Sequence, residues 1–305
     1  MIERGMGMES PITAIGFSEI DKKYTIEELV GEILEKPTKQ QVSRNKNKAI
    51  IAEYIKEFGK DTYVMVRIVV RPEEGQKNAK EETSIEVEQC EPYLNTRYTL
   101  NVEELSVEEI DDEYNYYAIC EEKETGIQFI FWLQNVIEYT EAAAHRQDFN
   151  QIKVAALAME GTIVLPVEQD EEDLTAQKEE KEKIKVMLQK AREGDEEAKM
   201  QLEEEEKEMD DLLKARLYEE DFLTIMSGYF IPTTLVDATY AILGEITSID
   251  TRRNSRTGEE MYLFTLDVND MPLEVMINKK QLVGYPTIGM RFMGTCWLQG
   301  TIVID

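Results

Sequence analysis

Hydrophobic residues in the first part of the chain recur at two periods, one typical of helices and one typical of strands. In "YTIEELVGEILEKP" the apolar positions follow helical spacing, Thr25 can cap the first turn and Pro37 ends the run. The stretch "NKAIIAEYIKEFGKD" has the same spacing, with Gly59 where a helix would end. Both stretches therefore predict α-helices.

Alternating and β-branched positions then predict strands in "TYVMVRIVV" and "TSIEVEQCE". The chain over 114–133 predicts two strands joined near Thr125–Gly126. A hairpin that turns at Glu160–Gly161 is predicted over 152–167. Repeated hairpins favour a mainly antiparallel sheet with helices on one face, so residues 1–165 are expected to form an α+β domain.

After residue 165 the hydrophobic period becomes helical and acidic residues become dense. Gly194 can end one helix and Asp195 can cap the next, which predicts an acidic helical hairpin or linker over 166–224. The run Glu203–Glu206 is interpreted as a solvated helix face. A dock for a basic partner and a loose divalent-cation site are the alternatives.

The last part of the chain contains five strand-like runs, at 240–250, 259–269, 271–278, 289–298 and 301–304. The interruption "NKKQLVGYP" after the third run fits a small OB-like β-barrel over 235–305. A generic five-stranded sheet fits nearly as well. The predicted fold class is thus α+β multidomain, with an N-terminal α+β domain, an acidic helical middle segment and a C-terminal OB-like barrel.

Net charge and cysteine content limit which partners and which cellular compartment can be expected. The 305 residues carry a net charge of -29 at pH 7, which repels phosphate backbones and favours basic partners. Cys90, Cys120 and Cys296 are widely spaced and include no CxxC, so a reducing cytoplasm is expected. No signal peptide and no apolar run long enough to span a membrane is present in the sequence.

No arrangement of residues indicates a chemistry. The sequence lacks a phosphate-binding GxxxxGK[ST], a GxGxxG after a strand, a GxSxG and an HExxH. His145 is the only histidine, and "DVND" is interpreted as a hairpin turn and not as a cation loop. We therefore expect a protein that is not an enzyme and that holds no cofactor or metal, although carboxylates from distant positions could still meet.

The stretch "TRRNSRTGEE" places Arg252, Arg253 and Arg256 close together, and Lys279 and Lys280 follow in the same part of the chain. In an OB-like barrel this stretch is the loop between the first two strands, which such folds use to bind single-stranded nucleic acid. The turn-forming residues within it favour a solvated hairpin loop instead. A basic contact surface for a nucleic acid or an acidic protein remains the alternative.

Stacking aromatic residues would be needed to bind single strands. On the strand that follows the arginines, Tyr262 and Phe264 share the apolar face, which is expected to be the core. The opposite face, with Met261 and Leu263, is expected to be exposed and offers no stacking platform. Trp297 is also expected in the core, so nucleic-acid binding is the less favoured function.

Three stretches carry a resemblance to a known family: "ITAIGFSEI", "DFLTIMSGYFIPTTLVDATY" and the run from "YAILGEITSID" to "GTCWLQG". Together they resemble an uncharacterised family of clostridial proteins of about this length. The resemblance implies a bacterial cytoplasmic protein and supplies no site residues. The expected role is a cytoplasmic interaction or scaffold protein whose partner is a protein, and the alternative is a binder of single-stranded nucleic acid.

Overall fold

Strands dominate the structure. The computed structural model describes residues 10–20, 22–44, 50–72, 83–110, 115–144, 149–167, 171–202, 204, 223, 226–234 and 237–304. Within them the chain forms fourteen β-strands, three α-helices, a further helical stretch over 196–202 and two 3-10 turns, Pro11–Ile15 and Lys279–Gln281. The strands assemble into two sheets, one of four strands and one of ten.

The first sheet is an antiparallel meander in chain order. Its strands are β1 (Lys39–Arg44), β2 (Ile50–Gly59), β3 (Thr62–Pro72) and β4 (Thr83–Leu94). Helix α1, Ile26–Glu35, packs against β2 and β3. The Thr25 side chain accepts a hydrogen bond from the Glu28 amide and the Glu28 carboxylate accepts one from the Thr25 amide, so the first predicted helix is confirmed with its cap.

The second predicted helix is wrong, because its residues form β2. Ile51, Ala52 and Glu53 are buried in succession, since α1 covers one face of this sheet and helix α2 (Val136–Ala144) covers the other. A strand buried on both faces loses the alternation that identifies strands, and its apolar spacing then imitates a helix. The buried negative charge of Glu53 is compensated by an ion pair with Arg67, which is 2.7 Å away and also fully buried.

The second sheet contains the remaining strands. They are β5 (Leu100–Ile110), β6 (Asn115–Glu122), β7 (Gln128–Leu133), β8 (Gln151–Val164), β9 (Tyr229–Pro232), β10 (Thr239–Arg253), β11 (Glu260–Val268), β12 (Met271–Asn278), β13 (Leu282–Val283) and β14 (Arg291–Ile302). The predicted strand pair over 114–133 is confirmed as β6 and β7, which pair antiparallel.

Five of these strands pair in a closed ring, in the order β10, β11, β12, β8, β14 and back to β10. All pairs are antiparallel except β12 with β8. The predicted separate OB-like barrel over 235–305 is wrong, because β8 fills the gap between β12 and β14 and lies far earlier in the chain. The ring also continues into β7, which pairs with β14, so these strands belong to the ten-stranded sheet.

Two predicted turns are instead continuous strand. Gly161 lies inside β8, where a Cβ atom would clash with the Phe292 ring of β14, so the glycine permits close packing and not a turn. Gln299 and Gly300, which form the predicted turn between the strand runs 289–298 and 301–304, lie inside β14, and a Cβ at Gly300 would clash with the Lys153 carbonyl. Both errors follow from interpreting a glycine as a turn where two strands needed to approach closely.

The described residues of the acidic middle part, 171–202, 204 and 223, are mostly helical but not separate from the sheets, so that part of the predicted fold is also wrong. Helix α3, Glu171–Arg192, ends before Gly194, which has a φ of 94°, and Asp195 caps the helical residues 196–202. The end of α3 is fixed to the large sheet because Arg192 pairs with Glu121 at 2.6 Å. Met187 is buried there. The fold is therefore mostly β, in two sheets.

Two earlier expectations concern residues that lie outside the described ranges, wholly or in part. His145 is one of them, and of the run Glu203–Glu206 only Glu204 is described, with an exposed side chain. Whether the chain divides near residues 165 and 235 stays a prediction. The pairing of β8 with β12 and β14 crosses both positions.

Candidate functional site

The loop between β10 and β11 is held in one conformation by Asn254. The Asn254 side-chain oxygen accepts hydrogen bonds from the amides of Arg256, at 2.9 Å, and Thr257, at 3.0 Å. Its amide nitrogen donates to the Ile15 carbonyl at 2.9 Å, so this buried side chain ties the loop to residues 10–20, the N-terminal segment. Thr257 adds a second tie, donating to the Gly16 carbonyl at 2.7 Å.

Arg252 points away from solvent. Its side chain is 8% exposed and forms ion pairs with Asp250 at 2.5 Å and with Asp61, on the turn between β2 and β3, at 3.5 Å. The hydrogen bond from Arg252 lowers the pKa of Asp250. This guanidinium is therefore used inside the chain to connect the hairpin to the first sheet.

Arg256 contacts α1. Its Nε lies 2.5 Å from a carboxylate oxygen of Glu32, and its guanidinium carbon lies 4.6 Å from the centre of the Tyr24 ring. Burial acts to raise the pKa of Glu32, but the hydrogen bonds from Arg256 and Lys56 leave it below its ordinary value. Burial raises the pKa of Tyr24 to about 12.

The two lysines that follow β12 are also paired. Lys279 lies 3.0 Å from Glu260 and 4.7 Å from the centre of the Tyr262 ring. Lys280 lies 2.7 Å from Glu259, whose carboxylate also accepts hydrogen bonds from Ser18 at 2.7 Å. Burial acts to raise the pKa of Glu259, but bonds from Lys280, Ser18 and Asn278 hold it below its ordinary value.

Four of the five predicted site residues thus have carboxylate partners in the same chain. The fifth, Arg253, is exposed and donates to the Gly258 carbonyl at 3.3 Å. Some of these partners are near in sequence, such as Asp250, Glu259 and Glu260. No local pattern points to the others, because Glu19, Glu32 and Asp61 lie roughly two hundred residues or more before the arginines and lysines that they contact. That these residues form a binding surface stays a prediction.

The aromatic residues near the hairpin are placed partly as expected. Phe264 and Trp297 are buried, which confirms their predicted place in the core. Met261 and Leu263, on the face of β11 expected to be exposed, are buried too, so that expectation is wrong. The 3-10 turn Pro11–Ile15 packs against the neighbouring strands β8 and β12 and covers this side of the ring.

A different part of the ring exposes large apolar side chains. Leu165, Val283, Tyr285 and Ile288 are 71%, 66%, 91% and 67% exposed, and we call this set the apolar loop surface. They lie on adjacent strand ends, because Val283 pairs with Thr162 of β8 and Leu165 follows Val164, the partner of Arg291. Sequence reasoning missed this surface, since "QLVGYP" has the composition of an ordinary connection.

The backbone of this loop is fixed although its side chains are not covered. Gly284 and Gly289 have φ values of 97° and 86°, which only glycine adopts without strain. The Gly289 amide donates to the Ile246 carbonyl at 2.9 Å, and the Ile246 amide donates to the Met290 carbonyl at 2.8 Å. The surface is therefore presented by an ordered loop.

Arg291, which is buried, fixes the neighbouring chain ends. Its guanidinium donates to the carbonyls of Leu165 at 2.8 Å, Leu223 at 2.8 Å and Met226 at 2.6 Å. One side chain thus holds the point where the chain leaves β8 and the point where it returns towards β9. This contact keeps Leu165 in place beside the loop.

The described residues contain no group of three or more His, Cys, Asp or Glu side chains that could hold a metal ion. Cys90, Cys120 and Cys296 are free thiols, and burial raises the pKa of Cys90 and of Cys120 to about 12. In the same part of the chain, none of the helices has the length and apolarity needed to cross a membrane.

Comparison with known proteins gives one match. A family model described as a domain of unknown function, with E. rectale in its gene description, matches residues 12–300. This confirms the resemblance to an uncharacterised family of about this length. No curated protein and no solved structure matches the chain.

Proposed function

The chain belongs to the family DUF3881, a domain of unknown function, and we propose that it is a non-enzymatic interaction protein that docks a basic protein on the apolar loop surface. One observation carries the proposal: four large apolar side chains are at least 66% exposed, three of them between residues 283 and 288 and the fourth, Leu165, beside them. Apolar groups exposed together in this way are typical of protein contact sites. Because the loop backbone is already hydrogen-bonded, little conformational entropy is lost on binding.

The chemistry of the partner follows from charge. The chain carries a net charge of -29, and Glu160, Glu245 and Asp267 are exposed on strands next to the apolar loop surface. A second copy of the same chain would bring like charges together, which opposes self-association. We therefore infer a partner with aliphatic or aromatic side chains surrounded by lysines and arginines. Free cysteines support a role in the cytoplasm.

The test compares two variants of the full chain. Val283→Ser/Tyr285→Ser/Ile288→Ser removes most of the apolar loop surface. Val42→Ser/Val87→Ser/Ile231→Ser is the matched control, because these side chains are 63%, 50% and 49% exposed elsewhere. Immobilised wild type and control should capture the same basic protein from a bacterial lysate, and the surface variant should lose it. Raising the salt concentration should weaken capture.

Two results would contradict the proposal. Equal capture by the surface variant would show that the partner binds elsewhere. A wild-type dimer in light scattering that becomes a monomer in the surface variant would identify a second copy as the occupant.

Single-stranded nucleic-acid binding through Arg252, Arg253, Arg256, Lys279 and Lys280 is tested separately. The full chain is titrated with fluorescent oligonucleotides across a salt series. Since four of these cations are paired with carboxylates, we expect no micromolar binding at physiological salt. Micromolar binding that falls with salt, and that Arg253→Ala weakens, would favour the nucleic-acid function instead.

A further inference from the structure

A polar cavity of about 380 Å³ lies where the two sheets meet. The end of β4 contributes Asn95 and Thr96, the end of β7 contributes Gln134, and β8 and β14 contribute Lys153, Gly300 and Thr301. Its volume lies within the range of small-molecule sites in proteins. Its lining is polar, unlike most such sites, so a polar occupant is indicated.

The walls of the cavity are held in place by hydrogen bonds. The Gln134 side chain donates to the carboxamide oxygen of Gln299, and Gln299 donates to the Leu94 carbonyl at 3.0 Å. The Gln134 amide donates to the Gly300 carbonyl at 2.9 Å, and the Asn95 amide donates to the Asp61 carbonyl at 2.9 Å. Both sheets are joined across this site, which is therefore preorganised.

The lining has the groups that bind hydroxyls and one group that binds an anion. Gln134 is 2% exposed and Thr96 is 8% exposed, so their polar atoms are protected from bulk water. Thr96 accepts a hydrogen bond from the Tyr98 amide through its hydroxyl oxygen, at 3.2 Å, which leaves the hydroxyl proton to donate to a ligand. Thr301 and Asn95 add a second hydroxyl and a second carboxamide.

Lys153 is the charged residue of this lining, which includes no carboxylate. Among the described residues it has no ion pair, whereas Lys279 and Lys280 are each paired with a glutamate. In a chain with a net charge of -29, a cavity whose lining charge is positive favours an anion. One lysine matches one negative charge.

We propose that this cavity binds a small polyhydroxylated monocarboxylate, a sugar acid. The carboxylate pairs with the Lys153 ammonium, and the hydroxyl groups exchange hydrogen bonds with Thr96, Gln134 and Thr301. The site is separate from the apolar loop surface and does not depend on the proposed partner.

The probe is D-gluconate, titrated into the full chain and followed by calorimetry and by protein NMR. We expect a dissociation constant of roughly 1 mM or tighter, as for a small polar ligand in a preformed site. D-sorbitol, which lacks the carboxylate, and acetate, which lacks the hydroxyls, should each bind at least about tenfold more weakly.

Two variants place the binding in the cavity. Lys153→Met should weaken gluconate binding at least about tenfold, and Thr301→Val should weaken it by a factor of about three to ten. Lys190→Met, on the exposed side of α3, is the matched control and should bind gluconate as the wild type does. Unchanged melting temperatures would show that the variants fold.

Three outcomes would overturn the proposal. The first is no binding of gluconate at tens of millimolar. The second is equal binding of sorbitol, which would remove the carboxylate from the argument. The third is unchanged gluconate affinity in both Lys153→Met and Thr301→Val, which would place any binding outside the cavity.

Discussion

Two loops of the same ring differ in whether their side chains are paired with other groups of the chain. The loop between β10 and β11 is tied to the N-terminal segment through Asn254 and Thr257, and its arginines contact carboxylates of the same chain. The loop between β13 and β14 is equally ordered in its backbone, but Tyr285 and Ile288 face solvent. The side chains of the first loop are therefore paired within the chain, and the apolar side chains of the second loop are left exposed.

The comparison shows that residue type alone is a poor guide to a contact surface. Clustered arginines suggest an external ligand, yet Arg252 is 8% exposed and paired within the chain. The stretch "QLVGYP", which resembles an ordinary connection, holds Tyr285, whose side chain at 91% is the most exposed large apolar one among the described residues. What decides the use of a side chain is whether the fold supplies its partner.

The largest effect should come from breaking the first loop at Asn254. Asn254→Ala removes hydrogen bonds to the Ile15 carbonyl and to the amides of Arg256 and Thr257, and leaves these groups unpaired. We expect a loss of about 3 kcal/mol in the free energy of unfolding, measured with urea. Ser255→Ala, at the exposed neighbouring position, is the control and should change it by less than about 0.5 kcal/mol. Equal effects would show that the N-terminal segment does not stabilise this loop.

A smaller loss in the free energy of unfolding is expected from a substitution at Arg291, which lies at the start of β14 next to the second loop. Arg291→Met leaves the carbonyls of Leu165, Leu223 and Met226 without this donor and should cost about 2 kcal/mol in urea unfolding. Arg253→Met, at an exposed arginine, should cost less than about 0.5 kcal/mol. Faster amide exchange around Leu165 in the Arg291 variant would confirm the clamp, and an unchanged exchange rate would contradict it.

Glu259 gives the first loop a dependence on pH. Its pKa lies below the ordinary 4.5, so its contribution to stability is complete above that value and is lost as the pH falls through the lower pKa of the folded state. As the pH falls from about 6 to about 3, wild type should lose more of its free energy of unfolding than Glu259→Gln does, measured in urea. Glu35→Gln, at an exposed position at the end of α1, should follow wild type. Parallel curves for wild type and Glu259→Gln would contradict the assignment.

The elements of the fold that could be predicted from the sequence are those whose defining residues lie close together in the chain. The capped helix after Thr25 and the strand pair around Thr125–Gly126 have their signals within a few residues, and both are confirmed. The strand β2 was missed because both of its faces are buried, which a single sequence does not reveal.

The closed ring could not be predicted for a similar reason. Its closing strand, β8, lies before the acidic helical part, and its pairing with β12 and β14 joins residues that are more than a hundred positions apart. Some ion pairs of the basic residues also join distant parts of the sequence, since Glu32 contacts Arg256 only in the folded chain. The cavity draws Thr96, Lys153 and Thr301 from three strands or strand ends, and no motif connects them.

The smallest effect on stability should come from the apolar loop surface. In Val283→Ser/Tyr285→Ser/Ile288→Ser the lost side chains are already in water, so the free energy of unfolding should change by less than about 0.5 kcal/mol for each substitution. Measured in urea beside Asn254→Ala, this variant should unfold almost as wild type does while failing to capture the basic partner. The substitution in the first loop would then lower stability, and the substitutions in the second loop would lower partner binding. A loss of stability as large as that of Asn254→Ala would show that these side chains are packed within the chain, and the contrast between the loops would be wrong.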